Sequence, residues 1–177
     1  MKILVISDTH DMVTDLKELL SRYSQEVGLV IHLGDYPNDL IQFHPQYPHL
    51  NMVAVDGTGY EINFPVERIL TLNNATALLS EGSVAGVPIE NEVKILIVHG
   101  HRHGVKTNLQ RLVYYAQEKQ VTACFFGHTH VSTIFEEHGI FFMNPGSLAF
   151  PRDGRHGRYG IVEISPDGTI SGEVMIL

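Results

Sequence analysis

Residues 2–35, KILVISDTHDMVTDLKELLSRYSQEVGLVIHLGD, decide the fold. Residues 2–7 are apolar and β-branched, the pattern of a strand buried on both faces. Thr14 or Asp15 then supplies a helix N-cap. Leu16, Leu19, Leu20, Tyr23 and Val27 follow at helical spacing, and Gly28 gives the stop. Residues 29–33 form a second buried strand, so the segment predicts a βαβ unit with parallel strands and a crossover helix. Both strands run into side chains that can hold a cation: Asp8-Thr9-His10 after the first, Gly34-Asp35 after the second.

The same event recurs along the chain. NMVAV (51–55) runs into Asp56-Gly57-Thr58, ILIV (95–98) into His99-Gly100-His101, and ACFF (123–126) into Gly127-His128-Thr129-His130. In an open α/β sheet, ligands gather at the carboxyl ends of the strands. Residues 36–50, rich in Pro, His and Tyr, read as an irregular loop on that side. RILTL, ATALLS, SVAGVPI and VKILIV read as an antiparallel meander with turns at Asn73-Asn74 and Glu81-Gly82. Leu109, Leu112, Val113 and Ala116 predict a helix over about 107–119. Further strands are expected at 121–126, 132–137, 140–143, 159–164 and 169–176. Many strands and few helices predict one α/β (α+β) domain over residues 1–177, a two-sheet sandwich with helices outside.

Composition narrows the function. With 12 Lys+Arg against 20 Asp+Glu the net charge is −8, which argues against a nucleic-acid polymer, whose backbone is bound by Lys and Arg. It leaves room for a small phosphate ester, because bound cations dominate the local field of a site. Cys124 is the lone cysteine, so neither a disulfide framework nor a thiolate zinc site is expected. It reads as a small buried hydrophobe. No apolar run reaches the roughly 18 residues of a membrane span, and the chain reads as cytoplasmic. Nothing in the sequence fixes the oligomeric state, and a homo-oligomer is compatible with it.

Asp8 and His10, His99 and His101, and His128 and His130 are each two residues apart, so in extended chain each pair shares a face. Asp35 offers two oxygens that can bridge two cations. Paired ions about 3.5–4 Å apart clamp a phosphorus centre for in-line displacement. Imidazole and carboxylate donors without thiolate favour Mn, Fe, Co, Ni or Zn over Mg or Ca. D-x-H or G-D alone is more often a cap or a turn, and HGHRH alone reads equally as a solvated loop. Their joint placement after strands carries the reading of a dinuclear centre.

MKILVISDTH, HLGD, HGH, GHTH and Asn144-Pro145-Gly146-Ser147 together resemble the calcineurin-like metallophosphoesterases, in particular their small, cap-less phosphodiesterase branch. The resemblance implies a four-layer sandwich and two divalent transition-metal ions, Mn first among them. Asp8, His10, Asp35 and His130 would bind the first ion, and Asp35, His99 and His128 the second. It also implies attack on a small phosphate ester by a metal-bound hydroxide, with Asp35 central to catalysis and His101 as a candidate proton donor. Asn144, Ser147 and Arg152 would help orient phosphate, while Arg102, Arg155 and Arg158 read equally as surface residues.

One segment departs from the family pattern. Where a Gly-Asn-His or Gly-Asn-Cys followed by an acid is expected, the chain has Gly57-Thr58-Gly59-Tyr60. Thr58 then replaces the Asn ligand of the second ion, which is held by the Thr58 hydroxyl or by water. The missing His or Cys leaves His101, His103 or Tyr60 as candidate proton donors, and Asp56 shares strand parity with Thr58. The departure also keeps a competing reading open, a non-catalytic interaction scaffold like the retromer subunit of the same fold.

Overall fold

A computed structural model of the chain describes residues 1–59, 63–73, 77–79, 82–84 and 89–177. The first sheet contains β1 (Lys2–Ile6), β2 (Leu29–His32), β3 (Asn51–Ala54), β11 (Arg158–Ile164) and β12 (Ile170–Ile176), in the order β12-β11-β1-β2-β3. The second contains β4 (Glu67–Leu72), β5 (Ala77–Leu79), β6 (Gly82–Val84), β7 (Val93–Val98), β8 (Ala123–Phe126), β9 (Thr133–Glu137) and β10 (Ile140–Asn144), in the order β6-β5-β4-β7-β8-β10-β9. β1, β2 and β3 run parallel, as do β7, β8 and β10. The carboxyl ends of β1, β2, β3, β7 and β8 therefore deliver five chain exits to one edge.

Alternation within the strands builds the layers. Ile3, Val5, Leu29 and Ile31 of the first sheet meet Ile95, Ile97, Ala123 and Phe125 of the second in the central core. Their neighbours Leu4, Ile6 and Val30 point the other way, onto Leu16, Leu19 and Leu20 of helix α1 (Val13–Tyr23) and Leu40 of the short helix α2 (Asn38–Ile41). Leu96, Val98, Cys124 and Phe126 pack under Leu112, Val113 and Ala116 of α3 (Gln110–Glu118). Fully burying each such side chain contributes about 1.5–3 kcal/mol. Burial on both faces explains why residues 3–6 of β1, 29–31 of β2 and all of β8 read as unbroken apolar runs.

Several local expectations need correcting. α1 begins at Val13, behind Met12, with no side-chain cap; Thr14 and Asp15 lie inside its first turn. The helix ends at Tyr23, whose carbonyl accepts the Glu26 N–H at 2.8 Å and the Val27 N–H at 3.0 Å and so brings Val27 back to the core. The stretch 36–50 is not wholly irregular, since α2 lies within it. α3 is shorter than 107–119 because residues 101–107 turn tightly, opening with a 3₁₀ turn at His101–His103. The meander is present as the antiparallel pairs β4–β5 and β5–β6. Asn74, Glu81 and most of SVAGVPI lie outside the described residues.

Candidate metal centre

The segments leaving the strands turn left-handed. Asp8 (φ 53°), His10 (φ 43°), Asp35 (φ 54°), His128 (φ 70°) and His130 (φ 59°) all have positive φ. Such a conformation typically raises the energy of a non-glycine residue by about 1–3 kcal/mol. Asp and His are among the side chains that tolerate it best. Glycines admit the close approaches: a Cβ at Gly57 would overlap the Asp35 backbone and Oδ1, and one at Gly127 would overlap Ser7 Oγ. One at Gly34 would stand 2.6 Å from the Asp56 carbonyl and 2.9 Å from His99 Nδ1.

Two groups of donor atoms result. Asp8, His10, Asp35 and His130 form one, and Asp35, His99 and His128 the other, with the atoms of each within 4.8 Å of one another. Asp35 belongs to both. His130 Nε2 lies 3.1 Å from Asp8 Oδ1, His99 Nε2 3.4 Å from Asp35 Oδ1, and His10 Nε2 3.9 Å from Asp35 Oδ2. The second oxygens are held from behind. Asp8 Oδ2 accepts from the Ser7 hydroxyl and from the His128 N–H at 3.2 Å. The ring faces are set likewise: Nδ1 of His99 lies 2.8 Å from the Leu33 carbonyl and Nδ1 of His130 2.8 Å from the Phe150 carbonyl. Each Nδ1–H donates, which turns Nε2 towards the donor groups, as in metal-ligating histidines, and His99 Nε2 also meets His128 Nδ1 at 3.1 Å.

Electrostatics agree with cation binding. Burial would raise the pKa of Asp8, but His130, His99 and Ser7 hold it below the usual carboxylate range. Burial acts the same way on Asp35, where His99 and Thr58 prevail and keep the carboxyl low. His99 is raised despite its burial, by Asp35 and Asp8. His128 is lowered to about 4 by burial and by the charge of His99. Among the described residues, buried Asp8 Oδ1 and His10 Nε2 have no hydrogen-bond partner. Two carboxylates and four imidazoles, converging on two groups with these two atoms unpartnered, fit divalent transition ions.

The other expected site residues fall at graded distances. His101 stands on its 3₁₀ turn, its ring 5.4 Å from His99 and 6.0 Å from His128. Thr58 donates to Asp35 through its hydroxyl, at 2.8 Å to Oδ1 and 3.1 Å to Oδ2. Asp56 Oδ1 caps the Gly57 N–H at 2.9 Å. His103 packs on Tyr115, 4.8 Å between ring centres. Tyr60 lies outside the described residues.

Asn144 and Ser147, expected to face phosphate, are fully buried instead. Asn144 Nδ2 donates to the Gly127 carbonyl and to Thr129 Oγ1, both at 2.9 Å, and Ser147 Oγ donates to the Asp8 carbonyl at 2.8 Å. They brace the GHTH and DTH turns from behind, with their polar atoms already used. Arg152 is exposed and close enough for its charge to act on His130, and its N–H donates to the His130 carbonyl at 2.8 Å. Arg158 faces Asp153, and Arg102 and Arg155 are exposed.

One buried relay was not anticipated. The Gly34 N–H donates to His32 Nδ1 at 3.1 Å, so Nε2 carries the proton and meets Thr9 Oγ1 at 2.9 Å. Thr9 donates on to Asp39 Oδ2 at 2.7 Å. The one available signal was His32 interrupting the apolar run LVIHL.

The sandwich, the five strand-end turns and the two donor groups around Asp35 describe a calcineurin-like phosphoesterase. The chain belongs to that superfamily, whose domain model matches residues 1–167. It is 31% identical over 172 residues to phosphodiesterase YfcE of Escherichia coli K12, covering 92% of this chain and 88% of that protein. The crystal structure of a predicted phosphoesterase from Streptococcus pneumoniae TIGR4 superimposes with a TM-score of 0.74 at 28% identity, covering 99% of this chain and 88% of that one. Vps29 from Entamoeba histolytica, in a single-mutant form, shares the fold with a TM-score of 0.69 at 20% identity, covering 100% and 99% of the two chains.

Proposed function

We propose that the chain is a phosphodiesterase that hydrolyses a small phosphate ester at a dinuclear centre, with manganese the first candidate metal. Asp35, shared by both donor groups, carries this reading. Two bound ions would lower the pKa of a coordinated water and draw charge from the phosphoryl oxygens. The chain's own residues do the rest. Asp8 and Asp35 supply the negative charge, and both stay ionised well below neutral pH. The Leu33 and Phe150 carbonyls fix the His99 and His130 rings, so little reorganisation remains when a substrate arrives. Arg152, exposed beside His130, is a cation placed to hold a phosphate oxygen. His101 is the candidate donor of a proton to the leaving oxygen.

The deciding experiment pairs metal analysis with turnover of bis-p-nitrophenyl phosphate under added Mn²⁺, for wild type and Asp35→Asn. The wild type is expected to bind two ions and turn over. Asp35→Asn is expected to lose both ions and about a hundred- to a thousandfold in rate, the roughly 2.7–4 kcal/mol typical of one lost electrostatic contributor. Wild-type turnover by Asp35→Asn at saturating metal would sink the two-ion reading. A scaffold reading draws on one observation, Thr58 in place of an amide ligand. A fully loaded protein with no turnover of any ester would favour it.

A further inference from the structure

Two aromatic rings stand on the rim of the metal centre without a packing role that explains them. Tyr36 is 39% exposed and Phe150 58% exposed, and their ring centres lie 5.1 and 5.3 Å from that of His10. Single exposed aromatics are ordinary. Here, however, both contact one candidate metal ligand, and both are tied through their own backbones to the turns that carry the others. Tyr36 directly follows Asp35 and has φ 68°, unfavourable for a bulky side chain. Its position is held because its carbonyl accepts the Asp39 N–H at 3.0 Å. Phe150 gives its carbonyl to His130 Nδ1 at 2.8 Å, and its N–H donates to Ser147 Oγ at 2.8 Å. The rings are thus anchored on the turns that aim the metal-facing groups, and their free surfaces face solvent beside the centre.

We infer that Tyr36 and Phe150 form a stacking platform for one ester group of the substrate, which is therefore a planar aromatic ring, as in a nucleoside or aryl phosphodiester. The inference rests on the phosphodiesterase reading above. A ring presents a π-face to an aromatic side chain whatever its substituents, so such a platform selects planarity rather than one base. The acidic surface restricts it to small esters rather than polymers.

The first measurement needs no turnover. Binding of methylphenylphosphinate and dimethylphosphinate, monoanions whose P–C bonds resist hydrolysis, is compared by calorimetry on Mn²⁺-loaded protein. The phenyl compound is expected to bind about tenfold tighter, the size of one stacked ring. Most of that ratio should vanish in Phe150→Ala and diminish in Phe150→Leu, which keeps bulk without the π-face. A ratio cancels losses common to both ligands, including reduced metal content.

The second measurement compares kcat/KM for the methyl, phenyl and thymidine 5′ esters of p-nitrophenyl phosphate, which share a leaving group. The phenyl-to-methyl ratio should follow the binding ratio in wild type and variants. A thymidine ester ahead of the phenyl ester assigns the platform to a nucleobase, and the reverse order to an aryl group. No phenyl preference in wild type, or a preference unchanged in Phe150→Ala, overturns the platform. Absence of turnover with every ester overturns the phosphodiesterase reading instead.

Discussion

Thr58 holds Asp35 from two directions: its N–H donates to Oδ1 at 2.5 Å, and its hydroxyl reaches Oδ1 at 2.8 Å and Oδ2 at 3.1 Å. Both bonds favour the ionised carboxylate. The hydroxyl proton is thereby committed to Asp35, so this residue orients the shared carboxylate as well as standing where the family has an amide.

Thr58→Val keeps the β-branched shape and the N–H but removes the hydroxyl. The Mn²⁺ concentration for half-maximal activity is expected to rise about tenfold, at the low end of the roughly 10–100-fold typical when a group supporting a ligand is lost. Thr58→Asn adds an amide oxygen and should move the midpoint the other way. Superimposable Mn²⁺ titrations for the three proteins would show that position 58 does not govern binding of the second ion.

The strands were legible because the parallel strands at the centre of each sheet are buried on both faces, which leaves apolar runs that only a turn or ligand residue ends. The pairing of donors was legible for a different reason than spacing suggested. Two-residue spacing in extended chain implied one shared face for His128 and His130. Instead both are left-handed and serve different donor groups, so residue type mattered more than parity. Burial of Asn144 and Ser147 was not readable, since a polar turn looks the same whether it faces a ligand or braces a loop. The His32–Thr9–Asp39 relay joins three separated segments that no local pattern connects.

Gly127 tests how tightly the turns are built. A Cβ there would overlap Ser7 Oγ and stand 2.9 Å from Asp8 Oδ2. Gly127→Ala is expected to destabilise the metal-free protein by about 1–3 kcal/mol, as overpacking does, and to lower the bound metal per chain. Urea unfolding and elemental analysis measure the two effects. Unchanged metal stoichiometry would mean that the Ser7–Asp8 contact does not position the carboxylate.

His32 gives the metal-free protein an acid-sensitive stability. Burial holds its pKa at about 3, against an ordinary value of 6.5. Between these values the unfolded chain binds a proton that the folded one does not. Its contribution is therefore complete above pH 6.5 and declines as pH falls towards 3, by up to about 1.4 kcal/mol per pH unit. His32→Gln keeps a donor for Thr9 and removes the titration. Urea midpoints from pH 7 to 4 should fall more steeply for wild type than for His32→Gln. Parallel slopes would show that His32 is not a source of the acid sensitivity.

His101 is the residue whose chemistry a leaving-group series can isolate. It is half-buried, its Nδ1 has no partner among the described residues, and its ring lies beside His99 and His128. Burial lowers its pKa, and the charges of His99 and Arg102 lower it further. Bound cations would act in the same direction. The imidazolium is then a stronger acid than a free one and the minority form at neutral pH, and the rate of an ester that needs it, taken relative to one that does not, should rise as pH falls from neutral towards that lowered pKa. A nitrophenolate leaves as a stable anion without a proton, whereas an alkoxide needs one. His101→Gln should therefore slow an alkyl diester by about 10²–10⁴-fold, the range for general acid catalysis, and a nitrophenyl diester far less. In the variant the ratio of alkyl- to nitrophenyl-ester rates should also lose its rise at low pH, because the nucleophile common to both esters cancels. Equal losses on both esters, with metal content intact, would reduce His101 to a residue that supports the His99 side of the centre.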